Sequence, residues 1–216
     1  MLVCACTLVV ASLPRTASAF HDDFNGTSVD STLWTVDLGA GQVVVSGGFV
    51  MLSCAGSEFP VVTSRSNPFP QGDWDLHVGM QYVSQAPCGD GFGAVDNFWE
   101  DYYGVACRPF LLWQDNGGLY VYAGSSGSTP IAPPPDLGYH VVEWTYLAGQ
   151  YQFLIDGVPR ASGGCGPPAT RIFFGHPHPI GCSPWTSFSI DFIDVAPFGA
   201  TPTATMSWGK LKQIYR

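Results

Sequence analysis

Apolar residues recur along this chain in short runs of period two rather than in helical stripes. The stretch "YHVVEWTYLAGQYQFLIDG", residues 139–157, shows the pattern in full. Tyr151, Phe153 and Ile155 alternate with Gln152, Leu154 and Asp156, which predicts a strand with one strongly apolar face. "LAGQ" links it to the strand before, so the pair reads as a hairpin. Asp156-Gly157 is turn chemistry, because glycine takes positive φ at no steric cost. Similar runs are "GQVVVS", "GFVMLSC", "WDLHVGMQYV", "YYGVAC", "PFLLWQ", "LYVYAG", "TRIFFG" and "FSIDFIDVAPF". Turn formers such as "SGG", "DNGG", "GSSGS", "APPPDLG" and "GHPHPIG" separate them. Many short strands at close intervals predict an all-β, largely antiparallel sandwich or barrel.

Helical periodicity is nearly absent before residue 205. Residues 199–206, "GATPTATM", read as a linker, and "SWGKLKQIYR" (207–216) follows. There Trp208, Leu211 and Ile214 or Tyr215 share one helix face, beside both lysines of the protein. Two readings stand for this basic aromatic tail. One is a short terminal helix docked on the sandwich. The other is a recognition tail for export, anchoring or self-association.

A length of 216 residues fits one domain with appendages. Only 12% of residues are charged, against about 25% in ordinary domains. With 14% aromatics, 26 glycines and 18 prolines, this favours a β-rich extracellular protein over a helical cytosolic one. The net charge of −9, with eight basic residues, argues against nucleic acid and anionic membranes as partners.

Residues 1–19 run from an apolar stretch, Met1 to Leu13, to a small-x-small site at Ala17-Ser18-Ala19. That order predicts a secretory signal cleaved before Phe20, hence a secreted or cell-surface protein. No positive charge precedes the apolar stretch, which leaves open a start upstream of Met1. No other stretch reaches the roughly 20 apolar residues of a membrane span.

Cleavage would leave Cys54, Cys88, Cys107, Cys165 and Cys182 in an oxidising compartment. Cys88–Cys107 and Cys165–Cys182 are the favoured pairs, since each lies in irregular or Gly/Pro-rich segments. Cys54, in a strand-like run, is the candidate unpaired thiol. Sequence does not fix the connectivity. No C-x-x-C spacing supports a zinc cluster.

Three segments resemble the concanavalin A-like lectin/glucanase superfamily. They are "FHDDFNGTSVDSTLW" (20–34), "GGFVMLSC", and "YHVVEWTYLAGQYQFLIDGVPRAS" with its His…Trp…Asp-Gly order; "FSIDFIDV" fits the closing strand. The resemblance spans about residues 20–198. It implies a jelly-roll β-sandwich with a curved sheet and a concave face. In the opening segment Asp22 and Asp23 read as a solvated turn, with Phe24 and Trp34 in the core. Relatives similar to β-glucanases hold a structural calcium on the convex side, through a closing-strand Asp and main-chain carbonyls. The matching positions are Asp191 and Gly47 or Gly48, and calcium accepts such oxygen sets.

The glucanase branch also carries Glu-x-Asp-x-x-Glu on one strand, because cleavage needs two carboxyl groups, about 5–5.5 Å apart in retaining enzymes. This chain has three glutamates, Glu58, Glu100 and Glu143, none in that pattern. The weak catalytic candidates are Asp73, Asp75 and His77, which alternation puts on one face. Half-buried structural strands show the same alternation. His176 and His178 form a Pro-flanked pair with no carboxylate cluster nearby in sequence, and read as a turn.

Sugar rings stack their C–H faces on flat aromatic side chains. The stretch "VDNFWEDYYG" gathers Asp96, Asn97, Trp99, Glu100, Tyr102 and Tyr103, with Trp113 nearby. These are the candidate ligand-binding residues, and loops commonly carry such residues. The expected protein is a secreted lectin-like module that binds glycan or cell-surface polysaccharide without cutting it. The alternatives are a divergent glycoside hydrolase or lyase, and a surface assembly protein that uses its tail.

Overall fold

The computed structural model describes residues 20–39, 41–53, 60–82, 90–95, 110–113, 119–122, 128–132, 136–164, 169–175 and 188–200. The leader, the five remaining cysteines, residues 96–109, His176, His178 and the tail from 207 lie outside the described residues.

Two antiparallel sheets account for every described element. Sheet A contains β1 (Phe20–Asp22), β3 (Gln42–Ser46), β4 (Phe49–Ser53), β6 (Trp74–Tyr82), β11 (Gly138–Leu147), β12 (Gln150–Ile155), β13 (Val158–Gly164) and β15 (Phe188–Pro197). Its order is β13-β12-β11-β6-β15-β4-β3, and β1 also pairs with β15. Sheet B contains β2 (Trp34–Asp37), β5 (Val61–Ser64), β7 (Asp90–Val95), β8 (Phe110–Trp113), β9 (Leu119–Tyr122), β10 (Ser128–Pro130) and β14 (Arg171–Gly175). Its order is β10-β9-β8-β7-β14-β5-β2.

Alternation decides which side chains fill the space between the sheets. Trp74, Leu76 and Val78 of β6 are fully buried, while Asp75 and His77 between them are half-buried on the other face. In β11 and β12, Trp144, Tyr151 and Phe153 are likewise sealed inside. Trp144 of sheet A stacks on Phe92 of sheet B at 5.6 Å, and Phe92 lies over Phe174. Aromatic contact across the layers therefore joins the two sheets, as expected of a sandwich core.

The β11–β12 hairpin closes through Ala148 (φ 50°) and Gly149 (φ 80°). Two left-handed residues match the twist of the flanking strands. Ala148 pays a steric penalty there, and its N–H donates to Asp73 Oδ1 at 2.8 Å. The next turn, Asp156 (φ 52°) and Gly157 (φ 73°), repeats the device. Asp156 Oδ1 accepts the Val141 N–H and Oδ2 meets His140 Nδ1 at 2.7 Å. His140 Nε2 reaches the Asp136 carbonyl at 3.0 Å. Burial alone would lower the His140 pKa; the Asp156 hydrogen bond, with Asp136, more than offsets it and raises the pKa. The His…Asp-Gly order in the sequence is thus a brace across the hairpin.

Asp22 departs from the expected solvated turn. Its Oδ1 accepts the Phe24 N–H at 2.9 Å and its Oδ2 accepts the Trp34 indole N–H at 2.6 Å. Trp34 is buried, so its N–H needs an acceptor inside, and Asp22 supplies it. Phe24 and Trp34 do lie in the core.

Candidate functional site: the outward faces of the two sheets

Each sheet has one face on the core and one turned away, and register fixes what the second face carries. On sheet B, Phe92 and Phe174 point into the core, so their neighbours Gly91, Gly93 and Phe173 belong to the outward face. Gly91 pairs with Gly175, and Gly175 with Val61. Phe173 pairs with Gly93 on one side and Thr63 on the other. Farther along, Val121 is in the core, which puts half-buried Tyr120 on the outward face, in register with Leu112. Gly91 and Gly93 of β7 thus lie beside the Phe173 strand, Tyr120 stands two strands from Gly91, and Arg171, two residues before Phe173, shares this face. Phe173 is only 1% exposed although it faces away from the core, so this face is covered above it. Among the described side chains, Asp37 at the β2 edge is the carboxylate on this face.

The outward face of sheet A is different. Its central row is Glu143 (β11), His77 (β6), Asp194 (β15) and His21 (β1), each opposite the next. Asp194 is fully buried, and His21 Nδ1 stands 3.3 Å from its Oδ1.

The candidate residues fall in several places. Asp73 precedes β6; its carboxylate caps Ala148 and its carbonyl accepts the Phe198 N–H at 3.0 Å. Asp75 Oδ2 accepts the Gly199 N–H at 3.3 Å. His77 sits in the outward row of sheet A. Asp96, Asn97, Trp99, Glu100, Tyr102 and Tyr103 fall between β7 and β8 in sequence and lie outside the described residues. Trp113 ends β8, opposite Asp90 and Leu119; its side chain is outside the described set. Glu143 lies on sheet A, while Glu58 and Glu100 are not described.

Asp191 is the extra residue of a bulge in β15, between Ile190 and Phe192, and is 3% exposed. Its Oδ2 accepts the Tyr139 hydroxyl at 2.8 Å. Gly79 makes room for this arrangement: a Cβ there would meet the Tyr139 hydroxyl at 2.3 Å and the Phe192 ring at 2.4 Å. Gly47 (φ 62°) and Gly48 (φ 80°) form the β3–β4 turn. Val50 pairs with Ile190, so antiparallel register runs the turn alongside Asp191. Among the described residues no three His, Cys, Asp or Glu side chains gather as a metal site. A cation beside Asp191 would therefore draw on carbonyls and water, a donor set that suits calcium.

Sequence reasoning missed Phe173. The alternation of "TRIFFG" around Ile172 and Phe174 carried that signal.

No family model matches the chain, and no curated protein matches it. Solved structures do. A protein described as a sialidase superposes with a TM-score of 0.64 at 13% identity, covering 84% of this chain. This chain spans 18% of that sialidase's length. A glycosyl hydrolase family protein from Mycobacterium fortuitum gives 0.61 at 14% identity, covering 82% of this chain and 98% of its own. The Bacillus licheniformis β-glucanase gives 0.56 at 11% identity, covering 84% and 99%. The chain shares the antiparallel jelly-roll β-sandwich fold of these structures. Among the described residues no helix is long and apolar enough to cross a membrane.

Proposed function

We propose that this is an exported, lectin-like domain that binds glycan or cell-surface polysaccharide on the outward face of sheet B and does not cleave it. The observation that carries the reading is half-buried Tyr120 on that face, two strands from Gly91 of β7, with Asp37 exposed at the β2 edge; Phe173 is covered and takes no part. An accessible ring suits the C–H faces of sugars, and a few polar groups suffice to orient hydroxyls. Glycosidic cleavage asks for two facing carboxyl groups, and the sequence lacks the Glu-x-Asp-x-x-Glu pattern that supplies them in the glucanase branch. The structures that share the fold carry carbohydrate-active names, which supports the ligand class. The sequence candidates Trp99, Trp113, Asp96 and Asn97 join the proposal from the sequence alone, since their side chains lie outside the described residues.

A glycan array with and without calcium, using the exported form of the chain, tests this directly. Binding that falls on Trp99→Ala, Trp113→Ala or Tyr120→Ala supports the site. Sugar release by the purified protein, lost on neutralising an acidic side chain, would establish the hydrolase alternative instead. For the proposed calcium, Asp191 and the carbonyls of Gly47 and Gly48 are the donors. Calcium should raise the melting temperature of the wild type and leave Asp191→Asn unmoved.

A further inference from the structure

Among the described strands, the three-residue β1 pairs with β15 alone: Phe20 opposite Val195, His21 opposite Asp194, Asp22 opposite Ile193. Alternation sends Phe20 and Asp22 inward. Phe20 meets Trp34 edge-on at 5.4 Å, and Asp22 holds the Trp34 indole N–H. So β1 closes one side of the core around Trp34.

The third side chain, His21, turns outward to Asp194. That carboxylate is fully buried, and among the described residues neither of its oxygens has a hydrogen-bond partner. His21 Nδ1, at 3.3 Å, is within ion-pair reach but off hydrogen-bond geometry. A buried carboxylate without a counter-charge is strongly disfavoured. On its other side β6 presents His77, with Glu143 of β11 beyond it. Neither makes an ion pair with Asp194. Asp22 and Asp23 add negative charge beside His21. Strand β4 meets β15 at Ile190 and Val50, and brings no charged group there.

We propose that β1 is a proton-operated latch: protonated His21 holds β1 on β15 through Asp194, and neutral His21 lets β1 leave while the rest of the sandwich stays folded. Contact with Asp194 raises the His21 pKa above its ordinary value; burial opposes this, and the charges of Asp194, Asp23 and Asp22 reinforce it. A raised folded value means the docking contribution is complete below the unfolded value of about 6.5. It is lost as pH rises through the folded value, so the latch opens on the alkaline side. A three-residue strand on one partner belongs to the low-stability end of a fold, where local opening precedes global unfolding. Opening frees the Ile193–Val195 edge of β15 and uncovers Phe20 and Trp34.

Hydrogen exchange on the full chain at about pH 5.5 and about pH 9, corrected for intrinsic rates, tests the latch. Amides of 20–24 and 193–195 should lose about tenfold or more of their protection at the higher pH, while those of 142–155 hold theirs. His21→Lys keeps its charge up to about pH 10 and should abolish the pH dependence with β1 docked. His21→Gln should leave β1 open at both values. Where these variants fold poorly, the wild type still decides. The midpoint of the 20–24 exchange profile must coincide with the titration of the His21 ring seen by NMR. A His21→Lys profile like that of the wild type, β1 protection that tracks β11 and β12, or separate midpoints would each overturn the latch.

Discussion

The two outward faces of this sandwich are built from opposite materials. Sheet A turns out Glu143, His77, Asp194 and His21 in one cross-strand row, with Asp73, Asp75 and Asp156 near its turns. Sheet B turns out Gly91, Gly93, Thr63, Phe173 and Tyr120, with Arg171 and Asp37 as its charges. On sheet A the charged groups work inside the molecule. Asp73 and Asp75 accept backbone N–H groups, Asp156 braces His140, and Asp194 faces His21. On sheet B the described outward charges are Arg171 and Asp37, and half-buried Tyr120 is the more accessible ring, Phe173 being covered. A charge on a sheet face is therefore a poor guide to chemistry until its partners are known.

The comparison can be broken in four places. The largest effect is expected where the faces share a core: Trp144→Ala should cost about 3–5 kcal/mol in urea unfolding, because it removes the stack on Phe92 that joins the sheets. A smaller loss would mean the layers are held elsewhere. Next comes the brace on sheet A. His140→Ala should cost roughly 1.5–3 kcal/mol at pH 6, since a charge-assisted hydrogen bond is lost. The raised His140 pKa sets the sign: the contribution is complete below about pH 6.5 and fades as pH climbs through the folded value. The gap between His140→Ala and wild type should thus narrow in alkali; a gap that widens would refute the brace. On sheet B, Tyr120→Ala should leave the melting curve nearly unchanged and weaken glycan binding about tenfold, equivalent to roughly 1.4 kcal/mol. Equal damage to stability and binding would make Tyr120 a packing residue. The smallest effect is a gain: Ala148→Gly should stabilise by about 1 kcal/mol, since glycine adopts the left-handed turn without strain.

Much of the fold is legible along the chain because strands declare themselves locally. The alternation in "YQFLIDG" marks Tyr151, Phe153 and Ile155 as core, and all three are buried. Asp156-Gly157 marks a turn, and both residues have positive φ. The site was less legible. Phe173 looks like a core aromatic in isolation; alternation shows that it faces opposite to Ile172 and Phe174, and only the packing shows which of the two faces is the core. Asp22 looked like a turn residue because its partner, the Trp34 indole, lies twelve positions away.

By itself, the sequence determined the strands, their apolar faces and the tight turns, since period-two alternation and left-handed glycines act within a few residues. Only the tertiary structure decided that His21 of the first strand faces Asp194 of the last, and that Gly91 lies beside Gly175. Those pairings follow from strand order and register, which are set by how two whole layers pack and are written in no single stretch of chain.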